Sequence, residues 1–164
     1  NRLTRVEGPL AALAIRAFCA LYKVSLDEAL DAAAGYRSFN LFFTRALHTA
    51  ARPVDARPGI VVSPADGAIS QLGDLVDGAL LQAKGRYFPA RALLAGDEHL
   101  ARDVDGGRFA IVYLSPRDYH RVHVPFDCTV QAIAYVPGRL FSVNDRTSQV
   151  IDGLYARNER LVLS

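Results

Sequence analysis

The rhythm of apolar and polar positions changes once along this chain, near residue 52. Before it, apolar residues recur at helical spacing. In the stretch from Gly8 to Lys23, Leu10, Leu13, Ile15, Phe18, Leu21 and Tyr22 form a broad apolar surface, which predicts an amphipathic helix. Arg16 interrupts the run, which is shorter than the roughly 20 residues needed to cross a bilayer. With Arg5, Arg16 and Lys23 available to lipid phosphates, the segment suits a helix lying in a membrane interface as well as one packed in a core. Ser25 and Glu28 make a capping-box pattern and Gly35 a stop, predicting a second helix from Ser25 through Ala34. A third is expected around Asn40 to Ala46.

After Arg52-Pro53 the texture becomes short β-like runs punctuated by Gly, Pro and Asp. Strands are predicted at Ile60–Val62, Ala68–Leu72, Ala79–Gln82, Arg108–Leu114, Arg121–Val124, Thr129–Tyr135 and Arg160–Leu163. A short helix is predicted from about Pro89 to Leu94. The expected fold class is α+β: an N-terminal helical, membrane-facing cap over residues 1–52, then an antiparallel β-rich body over residues 53–164.

Composition narrows the reading. With 164 residues, 51% hydrophobic and 22% charged, the chain has enough apolar material for one well-buried core. The net charge of +2 comes from arginines spread along the chain, not from a basic block, so nucleic acid is not an expected partner. Cys19 and Cys128 stand far apart among apolar neighbours and read as small buried hydrophobes in a reducing compartment rather than as a disulfide. The sequence opens on Asn1, contains no Met and stops at the apolar run Arg160–Ser164; it is expected to be a piece of a longer polypeptide. No charged leader followed by a cleavage site supports secretion.

The densest chemistry lies in Tyr113-Leu-Ser-Pro-Arg-Asp-Tyr-His-Arg-Val-His-Val-Pro125. Along an uninterrupted strand, residues three apart point to opposite faces, so a shared site at His120 and His123 needs a break between them. Ser115-Pro116-Arg117-Asp118 predicts a short helical turn carrying Tyr119 and His120, opened by a capping Ser and a Pro at its first position. Asp66, on the turn Ser63-Pro64-Ala65-Asp66-Gly67, is the best-placed acid to orient one imidazole. Spacing alone leaves these residues open to ordinary roles, one core and one surface histidine and a plain turn aspartate.

Several further stretches accompany that one in order: Phe39-Asn-x-Phe-Phe-x-Arg45, Arg52-Pro-Val-Asp55, Ser63-Pro-Ala-Asp-Gly67, Leu81-Gln-Ala-Lys-Gly85, Leu93-Leu-Ala-Gly96, Tyr135-Val-Pro-Gly-x-Leu-Phe-Ser-Val-Asn144 and Ala156-Arg-Asn-Glu-Arg160. In order and approximate spacing the chain resembles phosphatidylserine decarboxylase proenzymes of the short bacterial membrane-associated type. The resemblance implies decarboxylation of phosphatidylserine to phosphatidylethanolamine through a pyruvoyl group, which such a proenzyme makes from a Ser of its own chain by self-cleavage. A carbonyl of this kind accepts the electron density that a departing carboxylate leaves at Cα. It further implies His123 as the base and Asp66 as its orienting carboxylate in maturation, His120 in the decarboxylation step, and Phe141 and Asn144 as residues lining the substrate pocket. The family's Leu-Gly-Ser-Thr cleavage motif has no match in these 164 residues, so the pyruvoyl Ser is expected outside them, on a C-terminal chain that partners this one. The other implied partners are phosphatidylserine and a phospholipid membrane, on the cytoplasmic side of the bacterial inner membrane and bound peripherally; a homodimer is compatible with the resemblance. Two alternatives come from other classes: a metal-dependent hydrolase using Asp66, His120 and His123, and a non-catalytic lipid-binding module.

Overall fold

A computed structural model describes residues 3–83 and 85–164. The chain divides into two compact units, Asn1–Ala68 with Leu114–Asp127, and Ile69–Tyr113 with Cys128–Ser164.

In the first unit the predicted N-terminal helix forms as α1 (Pro9–Tyr22), with Pro9 at its first position and Lys23 in the left-handed conformation closing it through an N–H bond to Cys19 O. These are the expected start and stop devices. Its inward stripe is Ala11 and Ile15, both buried, with Phe18. The Phe18 ring meets Tyr22, Phe39, Phe42 and Phe43 at centroid distances of 4.5 to 6.3 Å. The three last belong to α2 (Phe39–Phe43), which Ser38 caps by accepting from Leu41 N at 3.3 Å. Phe42, fully buried, anchors this aromatic cluster. Leu10, Leu13 and Leu21 remain exposed on another stripe of α1.

The helix predicted over Ser25–Ala34 does not form; the segment is a series of turns. Ser25 turns its hydroxyl onto Asp27 two residues on, while Glu28, the other half of the expected box, spends its carboxylate on Arg52. Backbone bonds from His48 N to Glu28 O (2.9 Å) and from Leu30 N to Ala46 O (3.0 Å) tie the segment to a distant stretch instead of to itself. Tertiary partners here override local propensity.

Two predicted strands of this unit, Ile60–Val62 and Arg121–Val124, run beside each other without forming a ladder. Val62 N donates to Pro125 O at 3.0 Å and His123 N to Pro64 O at 2.8 Å. Pro64 and Pro125 have no N–H to return, so the pairing stops after those two bonds.

The second unit contains β1 (Ala68–Asp74) from its second residue on, β2 (Ala79–Ala83), β3 (Arg86–Pro89), α3 (Ala90–Leu93), α4 (Glu98–Asp103), β4 (Arg108–Tyr113), β5 (Ile133–Val136), α5 (Asp145–Val150), α6 (Leu154–Arg157) and β6 (Arg160–Leu163). The strands make three two-stranded sheets among the described residues, β1 with β4, β2 with β3 and β5 with β6. The latter two are antiparallel, with Leu80 opposite Phe88 and Ala134 opposite Val162. Their core is Leu75, Leu80, Phe88 and Ala90, flanked by Leu93, Val104, Phe109 and Tyr155. The α+β class holds, but as small sheets interleaved with short helices instead of one continuous β body.

Two local features explain sequence details. Gln82, 1% exposed, donates to Ser148 O (2.8 Å) and Ile151 O (2.7 Å) and accepts from Leu154 N (2.8 Å), so a buried amide organises the α5–α6 connection. Gly138 lies so close to the backbone of residues 157–159 that any Cβ would come within 2.6 Å of it. The cysteines depart from expectation: Cys19 is only half-buried and Cys128 is exposed.

Candidate active site

Within the first unit, a cavity of about 570 Å³ opens between the Ser63–Asp66 turn, the Leu47–Val54 stretch and the Tyr119–Val124 segment. Leu47, Val54, Val62 and Val124 give it apolar walls, and Arg52, Asp66, Tyr119 and His123 supply its chemistry.

His123 reaches this cavity because its backbone is docked on Pro64 O. Its Nε2 shares a 2.8 Å hydrogen bond with the hydroxyl of Tyr119, and the two rings stack at 5.6 Å with 23° between planes. Tyr119 is itself buried, so a fixed phenol holds the imidazole. The Nδ1 atom makes no hydrogen bond among the described residues.

Asp66 has a different partner. Arg52 donates to it from Nε, at 2.8 Å to Oδ1 and 3.0 Å to Oδ2, and through a short contact from Nη2. The Arg52 Nη1 in turn donates to both oxygens of Glu28 at 3.0 Å and to Ala51 O at 2.6 Å. Arg52 hydrogen bonding is the main reason the Asp66 carboxyl stays below its ordinary pKa; burial opposes it, and the charges of Arg52, Arg45 and His123 add to the lowering. The carboxylate is therefore anionic and shares the cavity with His123, yet among the described residues no hydrogen bond joins it to the ring.

His120 lies apart from that lining. Its Nδ1 is 2.8 Å from Asp118 O; a carbonyl only accepts, so Nδ1 carries a proton and in the neutral ring Nε2 bears the lone pair. The ring packs on Phe43 of α2 at a centroid distance of 3.9 Å.

The expected helical turn before these histidines is instead a single tight turn. Asp118 N bonds Ser115 O at 3.0 Å, and the Asp118 carboxylate accepts from Ser115 N at 2.7 Å. Ser115 caps nothing: its hydroxyl is buried without a partner. This turn ends at Asp118, ahead of both histidines, and the two do not share one cavity lining.

Phe141 and Asn144 belong to the second unit. Asn144 caps α5, its Oδ1 accepting from Thr147 N at 3.0 Å in a full capping box. Phe141 exchanges backbone bonds with the Asn158 side chain, both 2.9 Å, and carries the Arg157 guanidinium 5.1 Å over its ring. Both side chains have structural work.

Arg52 and Tyr119 received no role from the sequence, although both stand in quoted stretches. Tyr119 had one available signal, four residues before His123. Arg52 had none, because its partners are 24 and 14 residues away.

A family model for phosphatidylserine decarboxylase matches residues 39–164, a span that holds every candidate residue above. The chain belongs to the phosphatidylserine decarboxylase family. Similar members of this family include phosphatidylserine decarboxylase proenzymes of Pseudomonas putida strain F1, 49% identical over 98% of this chain and 59% of the relative, and of Acinetobacter baylyi, 52% identical over 99% and 60%. That of Ectopseudomonas mendocina is 53% identical over 88% of this chain and 51% of the relative. The chain thus spans between 51% and 60% of the length of these three decarboxylase proenzymes.

Proposed function

We propose that the protein to which this chain belongs is a pyruvoyl-dependent lyase that converts phosphatidylserine to phosphatidylethanolamine and carbon dioxide. The observation that carries this is the shared cavity of a phenol-held imidazole and an arginine-held carboxylate, in a chain of the decarboxylase family.

The donor set fits the pyruvoyl group the family implies. His123, Tyr119 and Asp66 face one cavity with apolar walls, where a small carbonyl would be within reach of an imidazole. When bound, that group supplies a carbonyl that accepts electrons from the substrate's Cα. In the tautomer whose Nε2–H donates to the Tyr119 oxygen, Nδ1 of His123 carries the lone pair that takes the proton of a serine hydroxyl during maturation. Asp66, kept anionic by Arg52, stabilises the imidazolium that results. In turnover, Nε2 of His120, left with the lone pair because Asp118 O fixes Nδ1 as a donor, first takes up a proton and then passes it to Cα. Phe141 and Asn144 are the proposed substrate contacts of the second unit.

In the same reading residues 1–52 form a region that associates with a phospholipid membrane and residues 53–164 the catalytic body. The exposed Leu10, Leu13 and Leu21 favour peripheral attachment, on the cytoplasmic side of the inner membrane. No helix among the described residues is long and apolar enough to cross a membrane. The C-terminal, pyruvoyl-bearing chain is the obligatory partner, and a homodimer is the assembly to look for. The metal-hydrolase alternative gains nothing: among the described residues no three His, Cys, Asp or Glu side chains are grouped to hold an ion. The test is direct. Full-length protein given phosphatidylserine vesicles should release carbon dioxide and form phosphatidylethanolamine, with loss of activity on hydroxylamine treatment; activity indifferent to hydroxylamine would refute the pyruvoyl reading.

A further inference from the structure

Arg45, at the end of the Phe39-Asn-x-Phe-Phe-x-Arg45 stretch, is 5% exposed, yet its Nε and Nη1 have no hydrogen-bond partner. The remaining nitrogen makes only long contacts, at 3.3 Å to Arg117 O and 3.4 Å to Asp118 O. A buried guanidinium so poorly matched is costly to keep, because each orphaned donor forfeits its hydration. The Phe42 ring, 5.5 Å from the guanidinium carbon, offsets part of that cost without satisfying a donor. A second orphan stands nearby: the hydroxyl of Tyr36 is buried and unpartnered, and the Arg45 charge acts on it.

Both side chains line one cavity of about 230 Å³ within the first unit, together with Asp31, Arg37, Thr44 and Arg121. It shares no lining residue with the Asp66/His123 cavity. Its lining carries three guanidinium groups and one carboxylate, Asp31, and even with Arg37 paired to Glu7 outside the lining a positive balance remains. Arg37 is tied at Nη2 to Glu7, and Arg121 at Nε to Thr44 O, so each keeps other nitrogens for a ligand.

We infer that this cavity is a binding site for a phosphate-type oxyanion, with Arg45 and Tyr36 as its inner donors and Arg121 and Arg37 at its mouth. Planar guanidinium forks match phosphate oxygens in pairs, and a phenol hydroxyl adds a third donor. The same chemistry serves a glycerophospholipid phosphodiester or free phosphate. The inference does not rest on decarboxylation and is measured without turnover.

The experiment is calorimetric titration of full-length protein, first with inorganic phosphate and separately with short-chain phosphatidylglycerol below its micelle concentration. Saturable binding of either is expected, and the arm that binds names the source. Arg45→Gln should weaken it roughly 10-fold or more, and Tyr36→Phe and Arg121→Gln several-fold each. His123→Ala, in the other cavity, should leave it unchanged. If Arg45→Gln does not fold, the milder Tyr36→Phe and Arg121→Gln decide. No saturable binding in either arm, equal affinity in those two variants, or loss of binding in His123→Ala would each overturn the inference.

Discussion

The Tyr119 hydroxyl and His123 Nε2 lie 2.8 Å apart, so the His123 ring is oriented by a phenol four residues earlier in the chain. Tyr119→Phe keeps the buried ring and removes this bond. We expect self-cleavage of the full-length protein to slow roughly 10-fold, the weight of a hydrogen bond to a group that becomes charged, with little change in melting temperature. Cleavage at the normal rate on a denaturing gel would show that the phenol positions nothing.

The ion pair of Arg52 with Asp66 gives a pH-dependent contribution to stability. Asp66 titrates below its ordinary value of 3.8 in the folded chain, so the contribution is present above about that pH and is lost as pH falls through the lower, folded value. Arg52→Gln should melt below the parent at pH 7, and the gap should narrow as pH drops beneath 3.8. Arg52 is 43% exposed, so solvent screening limits the gap to about 1 kcal/mol. A gap that persists unchanged at acid pH would contradict the assignment.

Gln82 predicts a larger loss. Its amide satisfies two carbonyls and one N–H in the second unit, and Gln82→Met, similar in volume, would leave all three unpaired. The expected cost is about 3 kcal/mol or more, read from the urea midpoint of the full-length protein. A shift of under about 1 kcal/mol would mean those groups find other partners.

For membrane attachment, the exposed stripe of α1 and its inward face make opposite predictions. Leu13→Glu with Leu21→Glu should abolish co-sedimentation with anionic vesicles while folding is kept, since both residues are exposed. Phe18→Glu should unfold the aromatic cluster instead, because Phe18 packs on α2. Unchanged vesicle binding in the leucine pair would remove α1 from the attachment surface.

Legibility from sequence followed the range of the forces involved. Leu10 to Tyr22 announced α1, and β2, β4 and β6 were readable from apolar runs between turn residues, because these elements are set by local patterning. The Ser25–Ala34 helix failed because Glu28 and the backbone of residues 28–30 are claimed by Arg52, Ala46 and His48, which no local pattern reveals. Short α4 and α5 were missed although Asp97 and Asn144 are sound caps. At the site, the types and order of Asp66, His120 and His123 were legible, but their partners were not. The resemblance implied that Asp66 orients His123, whereas among the described residues the hydrogen bonds run from Arg52 to Asp66 and between Tyr119 and His123.

The central claim is that the two histidines serve different steps, and it is tested by measuring processing and turnover on one preparation of each full-length variant. His123→Ala should remain a single uncleaved band. His120→Ala should be cleaved, should carry a carbonyl that hydroxylamine traps, and should release carbon dioxide from phosphatidylserine roughly 10²- to 10⁴-fold more slowly than the parent. Normal two-chain processing in His123→Ala, or failure of His120→Ala to cleave, would contradict the account.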